Sequence, residues 1–130
     1  MSRKPKHVFR QEPDIFGNLV DLYWSTWNGH VLDPVEGHPD MAGLEHLVLK
    51  VLQDPYEVCQ STLDNAALAY ISEPGIGPRP AGIRVLVGYD STDYEKGSAY
   101  GTVNTAYPID LVGYSNPRIN LARPIYRKKK

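Results

Sequence analysis

Two prolines bracket the segment that most constrains the fold of this chain. Between Pro39 and Pro55, apolar side chains recur at helical spacing: Met41, Leu44, Leu47, Val48, Val51 and Leu52. This spacing places them on one stripe of an α-helix. Pro39 suits the first helical position, and Pro55 disfavours helix at the residue before it. We therefore predict one main amphipathic helix, which has to bury its stripe against another element.

After Pro55 the apolar period changes from helical to two. The alternation predicts four strands, at residues 56–62, 66–72, 83–89 and 100–107. Residues 15–33 are rich in aromatic and β-branched side chains and predict a further extended segment. Short connections favour antiparallel neighbours. The expected fold is therefore α+β, with the helix packed on a four- to five-stranded antiparallel sheet.

Charge divides the chain of 130 residues into three parts. All fifteen acidic residues lie within residues 11–117, which hold only four basic residues and carry a net charge of −11. The other ten basic residues lie near the two ends. We expect a basic N-terminal arm (1–14), one folded domain (15–110) and a basic C-terminal tail (111–130). Basic ends on an acidic body leave nucleic acid open as a partner.

The compartment is inferred from two features. Cys59 is the only cysteine, so the chain has no intrachain disulfide, and this favours a reducing environment. The sequence has no apolar run long enough for a transmembrane helix, and no apolar signal core follows the basic N-terminus. We expect a cytoplasmic protein without a membrane partner.

His30 and His38 flank the loop that leads into the predicted helix. If His38 lies at the helix N-terminus, the exposed amides there could hold a phosphate, and the imidazole could act as general base on a ribose 2′-hydroxyl. Simple turn and capping roles are the alternative. A metal site with Asp33, Glu36 and Asp40 is a third reading, but the metalloprotease spacing is missing, and we predict no metal.

Several short motifs together resemble the phage-associated barnase–EndoU–colicin–RelE (BECR) group of nucleases. They are Trp27-x-x-His30, His38-Pro39-Asp40-Met41, Leu52-x-Asp54-Pro55-Tyr56-x-Val58-x-x-Ser61 and Gly101-Thr102-Val103-x-Thr105-Ala106-Tyr107. The likeness covers roughly residues 24–107. Asp40 stands where the family usually carries glutamate, and the family also tends to carry a basic residue on the strands that line the cleft.

This resemblance implies a metal-independent endoribonuclease, linked to phages or toxins, that needs no cofactor and cleaves by 2′-hydroxyl attack. It implies four catalytic residues, which are His30, His38, Thr105 and Tyr107. The expected substrate-binding residues are Arg84, Ser61, Trp27 and Asp40. The expected partner is RNA, with an antitoxin or immunity protein as a second candidate. Two alternatives stay open: a non-catalytic module that binds RNA or a host protein, and a metal-dependent hydrolase that uses His30 and His38.

Overall fold

A single sheet runs through the structure, a computed structural model that describes residues 8–61, 64–109 and 121–128. Its seven strands lie side by side in the order β1-β2-β6-β5-β4-β3-β7. The strands are β1 (Val8–Pro13), β2 (Leu19–Tyr23), β3 (Glu57–Ser61), β4 (Ala67–Ile71), β5 (Ile83–Tyr89), β6 (Tyr100–Pro108) and β7 (Leu121–Arg127). The four strands predicted after the helix are therefore present, as β3 to β6.

The predicted fold class is wrong in two respects. The sheet is mixed, because β2 pairs with β6 in parallel whereas every other neighbouring pair is antiparallel. It is also larger than expected, because β1 lies within residues 1–14 and β7 within residues 111–130. Short connections indicate only which consecutive strands form hairpins. The pairing of β2 with β6 joins segments that are distant in the chain, so local spacing does not show it.

The main helix, α2 (Glu45–Gln53), is shorter than the predicted stripe, and most of the molecule is sheet. Met41 belongs instead to a separate 3₁₀ turn, Pro39–Met41, and Gly43 follows it with a φ of +80°. That left-handed conformation interrupts the helix. A second helical segment is α1 (Trp24–Thr26), which continues as a π-helical turn over Trp27–Val31, and a further 3₁₀ turn spans Asp93–Lys96.

The apolar stripe still packs as amphipathicity requires. One face of the sheet carries a fully buried row across four neighbouring strands, formed by Val58, Tyr70, Val85 and Ala106. The buried side chains of α2 belong to the same cluster; they are Val48, Leu49, Val51 and Leu52. Burial of apolar area is the main stabilising term here, and it leaves the opposite face of the sheet for polar groups.

A buried carboxylate ties β1, β4 and β5 together. Asp14, only 5% exposed, accepts hydrogen bonds from the hydroxyls of Tyr70 and Tyr89, at 3.0 and 2.6 Å. It also accepts from the backbone nitrogens of Phe16 and Asn18 and from the Asn18 amide. Burial raises the pKa of both tyrosines, so their hydroxyls stay protonated and act as donors.

The helices within residues 8–61, 64–109 and 121–128 are all too short to cross a membrane.

Candidate functional site

A row of polar residues crosses the sheet on the face opposite the core. The strand register aligns Arg127, Glu57, Ile71, Arg84 and Tyr107 as successive neighbours on β7, β3, β4, β5 and β6. Residues directly opposite one another in antiparallel strands share a face of the sheet. The row therefore places two guanidinium groups, one carboxylate and one phenol at the same end of the sheet.

Three of the predicted site residues meet at one end of this row. The guanidinium of Arg84 donates to the Tyr107 hydroxyl through Nη1 at 3.1 Å, and its Cζ lies 5.7 Å from the centre of the Tyr107 ring. The imidazole of His38 stacks on the same ring, with centroids 5.9 Å apart and planes inclined by 30°. Tyr107 thus connects an imidazole on a loop to a buried cation on the sheet. We call His38, Arg84 and Tyr107 the His–Arg–Tyr cluster.

Burial distinguishes the members of this cluster. Arg84 is only 4% exposed, whereas His38 and Tyr107 are half-buried. A buried guanidinium is held in one orientation and acts in a medium of low dielectric constant, where its attraction for an anion is stronger than in water. The cluster therefore combines a rigid positive charge with two aromatic groups that solvent can reach.

The loop before His38 is tightly closed by the backbone. The His38 amide donates to the Val31 carbonyl at 2.5 Å, and the Gly37 amide donates to the Asp33 carbonyl at 2.9 Å. A Cβ atom on Gly37 would collide with the carbonyl oxygens of His30 and Val31, the latter at 2.6 Å. Only glycine fits this close approach, and the result is a fixed position for His38.

His38 does not lie at the N-terminus of the main helix, contrary to our expectation. Helix α2 begins at Glu45, and His38 precedes only the three-residue turn Pro39–Met41. The prediction of a phosphate site at His38, which assumed the amides of the main helix, therefore loses that basis. Its contact with Tyr107 is a different basis for function, and it is one that the sequence did not indicate.

The other predicted site residues have different surroundings. His30 is exposed in the π-helical turn, and its carbonyl accepts from the Asp33 amide at 3.3 Å. Asp40 pairs with Arg79, whose Nε lies 3.1 Å from Oδ2. His30 and His38 thus lie at the two ends of one short loop. Through its ion pair with Arg79, Asp40 connects this region to the loop between β4 and β5.

Thr105, Ser61 and Trp27 differ in how they relate to the cluster. Thr105 lies two residues before Tyr107 on β6 and opposite Leu86, so it shares the face of the polar row. Ser61 is the last residue of β3, at the end of the strand remote from Glu57. Trp27 is 2% exposed and belongs to the apolar core.

The two other charged residues of the row, Arg127 and Glu57, were not among the sequence predictions. Arg127 donates to Glu57 Oε2 through Nε at 2.8 Å and also through Nη2, so one carboxylate oxygen accepts both bonds of the ion pair. This contact raises the pKa of Arg127. The sequence shows Arg127 only as part of a basic run, because its partner is defined by the pairing of β7 with β3.

Cys59 lies close to the row, in a buried position. It is 3% exposed, and its thiol donates to Glu57 at 3.4 Å. Burial, with a smaller contribution from the Glu57 charge, raises the pKa of the thiol to about 12, against a weaker opposing effect of Arg84. The reactive thiolate is therefore scarce at neutral pH.

Within the part of the chain that the structure describes, no three His, Cys, Asp or Glu side chains are grouped so that they could hold a metal ion. Comparison with protein-family models, with curated proteins and with solved structures gave no match.

Proposed function

We propose that this protein is a metal-independent endoribonuclease whose active site is built on the His–Arg–Tyr cluster. The observation that carries the proposal is the contact of Tyr107 with both a half-buried imidazole and a buried guanidinium. An imidazole can accept a proton near neutral pH, and a guanidinium can bind phosphate oxygens in a forked geometry. Together they supply a base and an anion-binding group without a metal.

In the proposed reaction, the RNA 2′-hydroxyl attacks the adjacent phosphorus and the 5′-oxygen leaves. The imidazole of His38 takes the proton from the 2′-hydroxyl as general base. Arg84 stabilises the negative charge that develops on the phosphate oxygens, with Tyr107 and Thr105 as further hydroxyl contacts. His30, at the other end of the loop, returns a proton to the leaving oxygen as general acid. The products are a 2′,3′-cyclic phosphate and a free 5′-hydroxyl.

The motif resemblance to BECR nucleases supports the same assignment. His38 and Tyr107 come from different motifs of that resemblance, and they are stacked in the folded chain. RNA is the substrate under this proposal, and a neutralising antitoxin or immunity protein is the expected protein partner. Ser61 and Asp40 are the remaining candidates for substrate contacts.

The test is cleavage of a labelled single-stranded RNA by purified protein in excess EDTA. We expect cleavage by the parent protein and a loss on the order of 10²–10⁴ in rate for His38→Ala and for the His30→Ala/His38→Ala double variant. His46→Ala is the matched control, because His46 is an exposed histidine on α2 outside the site. A 2′-deoxy nucleotide at the cleavage position should abolish cutting there, because the nucleophile is then missing. Cleavage that survives the double variant, or that ignores the 2′-deoxy substitution, contradicts the mechanism.

One observation favours a second function, that of a non-catalytic binding module. The basic residues Arg79, Arg127 and Lys128 form ion pairs with Asp40, Glu57 and Asp54 on the protein itself. Intramolecular pairs of this kind reduce the positive charge available to RNA phosphates. If this function is correct, the parent protein shows no cleavage under any of these conditions but binds RNA or a protein partner saturably.

A further inference from the structure

An exposed aromatic patch lies at the start of β1 and the end of β2. Trp24, the first residue after β2, is 47% exposed, although it is one of the largest apolar side chains in the protein. The ring of Phe9 meets it edge-on, with centroids 4.8 Å apart and planes at 74°. Phe9 itself packs against the core. The contact therefore fixes Trp24 on the surface without covering it.

A cation completes this patch. The guanidinium of Arg10 lies over the Phe9 ring, with Cζ 4.4 Å from the ring centre, and Nη1 donates to the Phe9 carbonyl at 3.1 Å. Arg10 is exposed. An exposed indole near an exposed arginine matches the chemistry of single-stranded nucleic acid, in which bases stack on aromatic rings and phosphates contact cations.

The topology places the patch at the same end of the sheet as the His–Arg–Tyr cluster. Strands β2 and β6 are parallel neighbours, so Trp24 and Tyr107 both lie towards the carboxyl ends of adjacent strands. Strand β1 is two strands from β6, on the order of 10 Å across the sheet. The patch therefore lies at that end of the sheet within two strands of the strand that carries Tyr107.

We propose that Trp24, Phe9 and Arg10 form a base-stacking subsite for single-stranded RNA. A base of the RNA stacks on the Trp24 indole, and Arg10 contacts a neighbouring phosphate. The inference builds on the proposed function, because it names the single-stranded form of RNA as the substrate of that site. It is independent of the cleavage chemistry, because stacking on an indole requires no proton transfer.

The experiment measures binding in the non-cleaving His38→Ala background. A fluorescein-labelled oligoadenylate is titrated with protein at one low salt concentration, and anisotropy gives Kd. We expect Trp24→Ala to weaken binding about tenfold or more, which is the usual scale for loss of one stacked base. Trp24→Phe should keep most of the affinity, and a blunt RNA duplex should lose the dependence on Trp24, since its bases are not available for stacking.

Leu19→Ala is the matched control, because Leu19 lies at the opposite end of β2 and is also 47% exposed. Its Kd should be unchanged. Tryptophan fluorescence provides a second measurement, which does not require the Trp24→Ala variant to fold. RNA should quench the parent protein, whereas Trp24→Phe, which retains only the buried Trp27, should lose the quench.

Failure of the nuclease proposal and failure of the stacking subsite give different results. Binding that depends on Trp24 in a protein that never cleaves RNA contradicts the nuclease proposal alone. The stacking subsite is overturned if the protein cleaves RNA but Trp24→Ala binds RNA as tightly as the parent. It is also overturned if Leu19→Ala weakens binding as much as Trp24→Ala does. In either case the exposed indole is left to a protein partner.

Discussion

The imidazole of His38 lies stacked on the phenol ring of Tyr107, with ring centroids 5.9 Å apart. The two residues are far apart in the chain, one on the loop before α2 and the other near the end of β6. Tyr107 also accepts the hydrogen bond from the buried Arg84. Any change that moves the ring therefore affects the imidazole of His38 and the guanidinium of Arg84 together.

Tyr107→Phe separates the ring from the hydroxyl. The variant keeps the stack with His38 but loses the acceptor for Arg84, so we expect cleavage to fall by about tenfold, or ~1.4 kcal/mol. The free energy of unfolding should fall by about 1 kcal/mol. Tyr100→Phe, at the start of the same strand and 40% exposed, is the control and should leave both quantities unchanged. An equal effect of the two substitutions would show that the Tyr107 hydroxyl does not position Arg84.

Gly37→Ala tests whether the closed loop positions His38. The new Cβ would collide with the carbonyl oxygens of His30 and Val31, so the loop has to open. We expect a destabilisation of about 1–3 kcal/mol, measured by urea unfolding, and weaker cleavage. Gly29→Ala, in the π-helical turn of the same region, is the control because a Cβ there meets no atom within 4 Å. A Gly37→Ala variant with parental stability would contradict the close approach.

Asp14→Asn tests the buried carboxylate that joins β1, β4 and β5. Its Oδ2 receives bonds from Tyr70, Tyr89 and the Asn18 amide, and an NH₂ group in that place cannot accept them. We expect a loss of about 3 kcal/mol in the free energy of unfolding. The control is Asp93→Asn, which removes an exposed pair to Lys96 and should change little. Similar unfolding midpoints for the two variants would rule out the structural role.

Cys59 gives a prediction about pH. Burial raises its pKa from the ordinary 9.0 to about 12, so between these values the unfolded chain releases the thiol proton while the folded protein retains it. Stability from this group is therefore complete below pH 9.0 and falls as the pH rises towards 12. Iodoacetamide at pH 8 should label Cys59 slowly in the native protein and rapidly in urea. Rapid native labelling would contradict the burial, and Cys59→Ala should show a shallower alkaline loss of stability.

Local periodicity predicted a large part of the secondary structure. The span of β5 matched at residues 83–89, and the other three predicted strands differ by a residue or a few at their ends. Strand alternation depends on which side chains face the core, and that pattern is written in neighbouring residues. The helix was drawn too long because the apolar stripe continues through Gly43, where the backbone turns away while Met41 stays buried.

The candidate site was only partly accessible from the sequence. The motifs included His38 and Tyr107, and the resemblance led us to expect a basic strand residue, Arg84. The fold brings these three residues together. The sequence did not show which of the two tryptophans is exposed. Trp27 belongs to one of the quoted motifs but is buried in the core, whereas the side chain of Trp24 is 47% exposed.

The amino-acid order by itself determined where most of the backbone extends, that its main helix ends before Pro55, and which few residues are candidates for chemistry. The tertiary structure alone decided that β2 and β6 run in parallel, that Arg127 meets Glu57, and that His38 lies against Tyr107 rather than at a helix terminus. The physical reason is that propensity and periodicity act over a few neighbouring residues. Sheet register and side-chain stacking depend instead on contacts between distant segments, which exist only when the whole chain has packed.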